Sequence, residues 1–274
     1  MRIPFTKAHG ARNDFLLTWS TAVPAGDRRM MARAICDRHA GIGADGWLLV
    51  TPASSAAPGA DGGIRLYNSD GSDSEISGNG TRCAAAFLIE SGVTADEVRI
   101  ATGAGVKHIR VLERREHHYL FEMNMGRAVV EGQLRFALEV DGKRWDATIL
   151  NVGNPQCVVF VENFDFDWCA LGKRIEHHEM FPNRTNVSFV REAGPHAVDV
   201  VFWERGAGET MSSGTGSTGA AAAAMLRGMV SSPVEIRTPA GPLLLRRAPD
   251  GDLYLTGPAE ITAGGEFYWE SEPA

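Results

Sequence analysis

Two serines occupy matching positions in glycine-rich loops of this chain. Ser77 lies in the sequence EISGNG (75–80), and Ser213 lies in SSGTG (212–216). A loop that opens a helix exposes unpaired backbone N–H groups at the positive end of the helix dipole, and glycine lets a ligand approach that backbone closely. Each loop therefore predicts the binding of an anion such as a carboxylate.

The serine before the first glycine of each loop is placed to reach a bound molecule, one serine from each half of the chain. This symmetry suits a two-base reaction, in which one group removes an α-proton and another delivers a proton to the opposite face. The loops would hold the carboxylate and stabilise the carbanion. No lysine adjoins a glycine loop, so pyridoxal phosphate has no obvious anchor. The pattern favours a racemase or epimerase that uses no organic cofactor.

The two serines belong to an internal repeat with a constant spacing. The offset 213 − 77 = 136 also carries Gly78 and the alanines of 84–86 onto Gly214 and the alanines of 220–222. The pattern V-x-I-x-T-x-A-G recurs at 98–105 and 234–241, again with 234 − 98 = 136. We therefore expect two similar halves whose serine loops meet at one site.

Each serine loop follows a predicted strand and precedes a predicted helix. Alternating apolar residues predict strands over 63–67 and 198–203. Alanine-rich segments predict helices over 79–90 and 215–228, and their near lack of charge predicts burial on every side. The fold class is therefore α/β (α+β), with a mixed sheet rolled around a central apolar helix in each half.

Other segments complete this outline. Residues 52–63 read as an exposed loop, and residues 113–118 as a crossing between domains. Short apolar runs predict further strands at 15–19, 47–50, 108–112, 157–161 and 243–245.

Composition excludes several function classes. The 274 residues carry a net charge of −7 without a basic patch, which argues against nucleic acid or an anionic membrane as partner. No apolar run of about 18 residues and no signal peptide are visible, so a cytoplasmic location is expected. The four cysteines lack C-x-x-C spacing and are expected as small core residues in a reducing compartment.

Simpler interpretations compete with the functional ones. Ser77 and Ser213 could be ordinary helix N-caps, and asparagines beside glycine or proline are often turn residues. Gly214–Gly219 matches the dinucleotide pattern G-x-G-x-x-G, but it lies well after the preceding strand and its repeat partner lacks the third glycine. Histidines in the segment EHHE (176–179) point apart without a third ligand, so no metal is predicted.

The order of motifs along the chain resembles that of the diaminopimelate epimerase family over nearly its full length. The motifs are HGARNDF (9–15), CDRHAGIGADG (36–46), YNSDG (67–71), GNGTRC (78–83), GNP (153–155), RTNV (184–187), ER (204–205) and GTG (214–216).

This resemblance implies two pseudo-symmetric domains, over 1–117 with 262–274 and over 118–261, and a site between them that uses neither cofactor nor metal. It further implies a homodimer and a small-molecule amino-acid substrate, interconverted between LL- and meso-2,6-diaminopimelate in lysine and peptidoglycan synthesis. The substrate-binding residues that it implies are Asn13, Asn68, Gly78, Asn79, Asn154, Asn186, Glu204, Arg205, Gly214 and Thr215.

The chain departs from the family at the catalytic positions. The family has cysteines where this chain has Ser77 and Ser213, and a histidine where it has Gln156. A thiol titrates near ~8.5 and can be a thiolate at neutral pH, whereas a serine hydroxyl cannot ionise there. Glu204 is the one ionisable group left for proton transfer, so the candidate catalytic residues are Ser77, Ser213 and Glu204.

Three interpretations of this departure remain open. In the first, both cysteines were changed to serine in order to trap a ligand, although this leaves Gln156 unexplained. In the second, the protein is a divergent enzyme that uses Glu204 or the serines for a weakened epimerisation, or that isomerises or dehydrates a related amino acid. In the third, it is a binding protein that keeps the carboxylate loops and has lost the chemistry.

Overall fold

The computed structural model describes residues 1–270. The chain forms two compact units: unit 1 comprises Met1–Met123 with the segment from Gly257 onward, and unit 2 comprises Asn124–Thr256. The last four residues of the predicted first domain, 271–274, lie outside the described residues. None of the helices in residues 1–270 is long and apolar enough to cross a bilayer.

Unit 1 contains two helices and most of its strands in the first 126 residues. In chain order these elements are β1 (Arg2–Gly10), β2 (Asn13–Trp19), α1 (Arg28–Cys36), β3 (Gly46–Pro52), β4 (Gly62–Asn68), β5 (Asp73–Ser74), α2 (Gly78–Glu90), β6 (Glu97–Thr102), β7 (Gly105–Arg115) and β8 (His118–Gly126), of which β8 continues into unit 2.

Unit 2 repeats this order after two additional strands. Its elements are β9 (Val129–Val130), β10 (Phe136–Val140), β11 (Lys143–Asn151), β12 (Pro155–Phe160), α3 (Trp168–Glu176), β13 (Asn186–Gly194), β14 (Ala197–Glu204), β15 (Gly208–Thr210), α4 (Gly214–Leu226), β16 (Val234–Thr238), β17 (Gly241–Arg247) and β18 (Leu253–Tyr268), of which β18 returns to unit 1. The additional strands, β9 and β10, both pair with β11.

The strand pairings of the two units follow the same scheme. In unit 1, β2 is antiparallel to β1 and parallel to β3, β4 is antiparallel to β3 and β5 and parallel to β6, and β7 is antiparallel to β6. In unit 2, β12 is antiparallel to β11 and parallel to β13. Strand β14 is antiparallel to β13 and β15 and parallel to β16, and β17 is antiparallel to β16. The duplication seen in the sequence is therefore a duplication of the fold.

A helix that is buried over all but its last one or two residues lies at the centre of each unit. Residues 78–89 of α2 and 214–224 of α4 are all buried. Helix α2 packs on β1, β2, β3, β4 and β6, while α4 packs on β11 to β14, β16 and β17. Alanine and glycine let strands approach the helix from every side, which confirms the predicted α/β (α+β) class and the central apolar helices.

Two local predictions need correction. Residues 113–118 contain the turn between β7 and β8, with Arg115 paired to His118, so this segment lies inside unit 1 and is not a crossing between units. The predicted loop 52–63 is too long at its end, because Gly62 already belongs to β4 and packs against Leu88 of α2. In both places residues that the charged or glycine-rich sequence assigned to a crossing or a loop belong to paired strands.

The cysteines follow the prediction with one exception. Cys36, Cys83 and Cys157 are buried, and loss of hydration raises the pKa of each thiol to about 12. Cys169 is only half-buried on α3, with its Sγ 3.5 Å from Glu209 Oε2, so the prediction of a core residue is wrong there.

Equivalent glycines of the two central helices differ in the space around them. A Cβ atom added at Gly216 would lie 2.8 Å from the ring of Phe202, whereas one added at the matched Gly80 would meet no atom closer than 3.3 Å. We expect Gly216→Ala to lower the free energy of unfolding by about 1–3 kcal/mol through overpacking. We expect Gly80→Ala to change it by less than about 1 kcal/mol. Urea midpoints at constant slope would measure both, and equal losses would contradict this description of the packing.

Candidate active site

The first half of the candidate site lies at the start of α2 in unit 1. Ser77 is the N-cap of this helix, and its Oγ accepts a hydrogen bond from the Gly80 N–H at 3.1 Å. Thr81 Oγ1 donates to the carbonyl of Ser77 at 2.7 Å and fixes the loop. The N-cap interpretation of Ser77 is therefore correct. It does not exclude chemistry, because capping uses the oxygen as an acceptor and leaves the hydroxyl proton available.

Three predicted ligand residues of unit 1 lie around this loop. The Asn79 side chain is buried and donates to Asn13 Oδ1 at 3.2 Å. Asn13 Nδ2 donates in turn to Asp45 Oδ2 at 2.7 Å. Asn68 ends β4, and its Nδ2 donates to Ser72 Oγ at 2.9 Å, so it stabilises a turn as the simpler interpretation expected.

A buried cation supports this half of the site. Arg82 is completely buried and donates to Asn79 Oδ1 at 2.5 Å and to the carbonyls of Pro258 (3.1 Å) and Gly78 (3.4 Å). Burial lowers the pKa of this guanidinium to about 10, which leaves it charged at neutral pH. No carboxylate pairs with Arg82 among residues 1–270. Its charge adds to the positive potential of the helix N-terminus.

The second half of the candidate site lies at the start of α4 in unit 2. Ser213 is the buried N-cap of this helix, and its Oγ accepts from the Gly216 N–H at 3.1 Å. The same hydroxyl donates to Glu204 Oε2 at 2.7 Å. The other carboxylate oxygen of Glu204 accepts a hydrogen bond from Thr210 Oγ1, also at 2.7 Å. Serine and carboxylate thus form a proton-sharing pair at the N-terminus of a helix.

The two halves differ at the carboxylate position. Glu204 stands at the end of β14, and its repeat equivalent at the end of β4 is Asn68, since 204 − 68 = 136. An amide cannot accept a proton at neutral pH, and no described residue gives Ser77 a carboxylate partner. Of the two serines, only Ser213 is therefore hydrogen-bonded to a described carboxylate that can accept its proton.

The remaining predicted ligands of unit 2 form two hydrogen-bonded chains. Asn154 Nδ2 donates to Thr215 Oγ1 at 3.2 Å in the α4 loop. Asn186 Nδ2 donates to the carbonyl of Pro155 at 3.0 Å, and its Oδ1 accepts from the backbone N–H of Arg205, also at 3.0 Å. Asn154 is thus held by a side chain of the α4 loop, and Asn186 by two backbone groups.

Sheet register explains why these residues meet. The parallel strands β12 and β13 begin side by side, with Gln156 opposite Asn186, and β14 runs antiparallel to β13 so that its end lies at the same edge. Helix α4 begins beside them, because Gly219 packs on the Gln156 side chain. One edge of unit 2 therefore collects residues that are far apart in the sequence, such as Asn154 and Thr215, which are separated by 61 positions.

Sequence reasoning missed Glu176, which holds the Glu204–Arg205 turn. The Glu176 side chain is buried and accepts hydrogen bonds from Trp203 Nε1 at 2.8 Å and from the backbone N–H of Gly206 at 3.0 Å. Arg184 donates to it at 3.4 Å. The only signal was its place in the segment EHHE, which suggested a metal instead. Residues 1–270 contain no cluster of three potential metal ligands.

Removal of Glu176 tests this supporting role. We expect Glu176→Ala to lower the free energy of unfolding by about 3 kcal/mol, since each buried donor left without a partner costs ~1–3 kcal/mol. Glu179→Ala, at an exposed position of the same segment, should change it by no more than about 0.5 kcal/mol. Thermal and urea unfolding would measure both variants. Similar stabilities would show that Glu176 does not hold the turn.

Comparison with solved structures identifies the fold class. A structure titled probable proline racemase, from Agrobacterium radiobacter, matches with a TM-score of 0.74 at 16% identity, over 96% of this chain and 92% of that one. A hydroxyproline epimerase from Agrobacterium vitis matches with 0.72 at 18% identity, over 97% and 92%. A PhzF-family phenazine biosynthesis protein from Bacillus anthracis matches with 0.73 at 14% identity, over 97% and 99%. The chain has the fold of these proteins.

Sequence comparison is more specific. The family model for diaminopimelate epimerase matches residues 5–131 and 148–262. Diaminopimelate epimerases from Pelotomaculum thermopropionicum and Moorella thermoacetica are 38% and 37% identical, each over 96% of this chain and 98% of the relative. The chain belongs to the diaminopimelate epimerase family.

Proposed function

We propose that this protein is a cofactor-independent amino-acid epimerase that interconverts LL- and meso-2,6-diaminopimelate, a reaction of lysine and peptidoglycan synthesis. Family membership supports the substrate class. The observation that carries the chemistry is the 2.7 Å hydrogen bond between Ser213 and Glu204 at the N-terminus of α4. Proton transfer through this pair would replace the missing thiolate.

The substrate carboxylate would be held by the backbone N–H groups of the loops at Gly78–Asn79 and Gly214–Thr215. Both loops begin buried helices, so the helix dipoles favour an anion there, and the charged Arg82 strengthens the first loop. The same groups would stabilise the negative charge that develops when the α-proton leaves. Asn13, Asn68, Asn154, Asn186 and Arg205 would bind the remaining polar groups.

The proton would move in a defined direction on the Ser213 side. The Ser213 oxygen takes the α-proton while its own hydroxyl proton passes to Glu204 Oε2, so that a carbanion and a protonated Glu204 result. Delivery of a proton from Ser77 would produce an alkoxide without a neighbouring acid to neutralise it. We therefore expect inversion to be slow, with the step at Ser77 as the slower one.

A second candidate function is amino-acid binding without turnover. The observation that favours it is the asymmetry of the halves, because Asn68 stands where Ser77 would need a carboxylate. Such a protein would bind diaminopimelate through the same loops.

Incubation with LL-diaminopimelate tests the proposal directly. Chiral chromatography should show meso-diaminopimelate accumulating with enzyme concentration. A keto product would instead indicate a divergent dehydratase, and saturable broadening of the ligand NMR signals without any product would indicate a binding protein.

The proposal includes a homodimer located in the cytoplasm, with a small-molecule amino acid as the ligand. The family resemblance supports the dimer, and the four free cysteines support a reducing compartment such as the cytoplasm. Light scattering of the purified protein would test the dimer.

A further inference from the structure

Gln156 occupies an unusual position in unit 2. It is completely buried near the start of β12, and its Cγ would lie 3.2 Å from a Cβ added at Gly219 of α4. Its Nε2 donates to Asn154 Oδ1 at 2.7 Å, while its own Oε1 is buried without a hydrogen-bond partner in the described chain. An unpartnered buried acceptor costs stability and calls for an explanation.

The hydrogen bonds around Gln156 set the orientation of the neighbouring amide. Because Asn154 Oδ1 accepts from Gln156, Asn154 Nδ2 is turned towards Thr215 Oγ1, 3.2 Å away. An amide nitrogen carries two hydrogens, and the second one has no acceptor among residues 1–270. A flipped Asn154 would set its NH2 group against that of Gln156, with both donors left unpaired.

We infer that Gln156 is a positioning residue, which fixes the Asn154 carboxamide so that the site offers an N–H donor to a carboxylate of the substrate. The inference rests on the proposed function for the identity of that substrate. Gln156 takes no part in proton transfer, since a carboxamide neither gives nor takes a proton at neutral pH. Its unpartnered Oε1 is the cost of an amide whose NH2 end is needed at Asn154.

Gln156→Glu is the informative variant, because its side chain has the same shape as glutamine and, once ionised, cannot donate to Asn154. Burial should raise the pKa of the new carboxyl, and the residues that pack on it from β11, β13 and α4 (Leu150, Asn186 and Gly219) are not titratable. Below that pKa the protonated acid donates as the amide did. We expect affinity for meso-diaminopimelate to fall about 10-fold to 100-fold at pH 8 and to recover as the pH is lowered.

Two further proteins act as controls in the same calorimetric titrations. Gln156→Leu should lose affinity at every pH, while Gln133→Glu, at an exposed position of the same unit, should follow the unaltered protein. Affinities of both Gln156→Glu and Gln156→Leu that equal that of the unaltered protein at pH 8 would overturn the inference. Absence of binding by the unaltered protein would instead contradict the proposed function.

A measurement without ligand keeps the inference testable in that case. In ¹⁵N NMR spectra the Asn154 side-chain NH2 signal should shift with pH in Gln156→Glu and stay constant in the unaltered protein and in Gln133→Glu. If the Asn154 NH2 chemical shift and its pH dependence were the same in Gln156→Glu as in the unaltered protein, Gln156 would not orient Asn154.

Discussion

Introduction of Ser77→Cys and Ser213→Cys together with Gln156→His is expected to raise epimerase turnover by about 10²-fold to 10⁴-fold, the range of a positioned acid or base. Both serines already cap buried helices, where the dipole lowers the pKa of a thiol from about 8.5 and favours the thiolate. An imidazole at position 156 adds a base and keeps an N–H donor for Asn154. Initial rates of meso-diaminopimelate formation would measure the gain.

The matched control for this variant introduces two thiols elsewhere. Ser54 and Ser231 are exposed and cap no α-helix, so the double variant Ser54→Cys with Ser231→Cys should have the turnover of the unaltered protein. If the restored variant binds diaminopimelate normally and gains no activity, the catalytic residues are not the only ones that have diverged.

Glu204→Gln is expected to slow α-proton exchange by about 10²-fold to 10⁴-fold. The amide can still accept from Thr210, but it cannot take up the proton that Ser213 passes on. The loss should therefore appear in kcat, with ligand affinity changed much less. Exchange rates measured by NMR in D2O would show it.

Glu209→Gln supplies the matched control, since Glu209 is exposed on the adjacent strand β15. It should leave the exchange rate within about twofold of that of the unaltered protein, as expected for a residue outside the site. Exchange that survives Glu204→Gln at the original rate would remove Glu204 from the mechanism.

The sequence predicts those features that depend on local pattern. The strands before the serine loops and the buried helices after them follow from alternation and from alanine content, and the register of the repeat follows from one constant offset. The same offset places Ser77 and Ser213 at equivalent helix N-caps. The substrate-binding asparagines are predicted only by the family resemblance.

Features that depend on contacts between distant elements could not be predicted. Glu176 ends α3 and accepts hydrogen bonds from a strand and a turn about 30 residues further on, and nothing in its neighbourhood indicates this. Glu204 could be singled out in the sequence, but its pairing with Ser213 could not. The 2.7 Å hydrogen bond from Ser213 to Glu204 and the second hydrogen bond from Thr210 depend on the folded chain. Arg82 likewise reads as an ordinary helical arginine until its burial is known.

The duplication also explains why one half is better equipped for chemistry than the other. Both halves keep the N-cap serine and the buried helix, which are the features that the proposed carboxylate binding needs. The halves differ at the position that carries the carboxylate Glu204 beside Ser213, because the equivalent residue of the first half is the amide Asn68. Under the proposed function, both repeats would contribute to substrate binding, and Glu204 of one repeat would accept the proton.

The most direct test of this account is to incubate the unaltered protein with LL- and with meso-diaminopimelate in D2O and to compare exchange with inversion. The Ser213–Glu204 pair should replace the α-proton of one isomer by deuterium with retention several times faster than that isomer is converted into the other. The other isomer, which presents its α-proton to Ser77, should exchange no faster than it inverts. Equal exchange of both isomers, or no exchange of either, would contradict the assignment of proton transfer to Ser213 and Glu204.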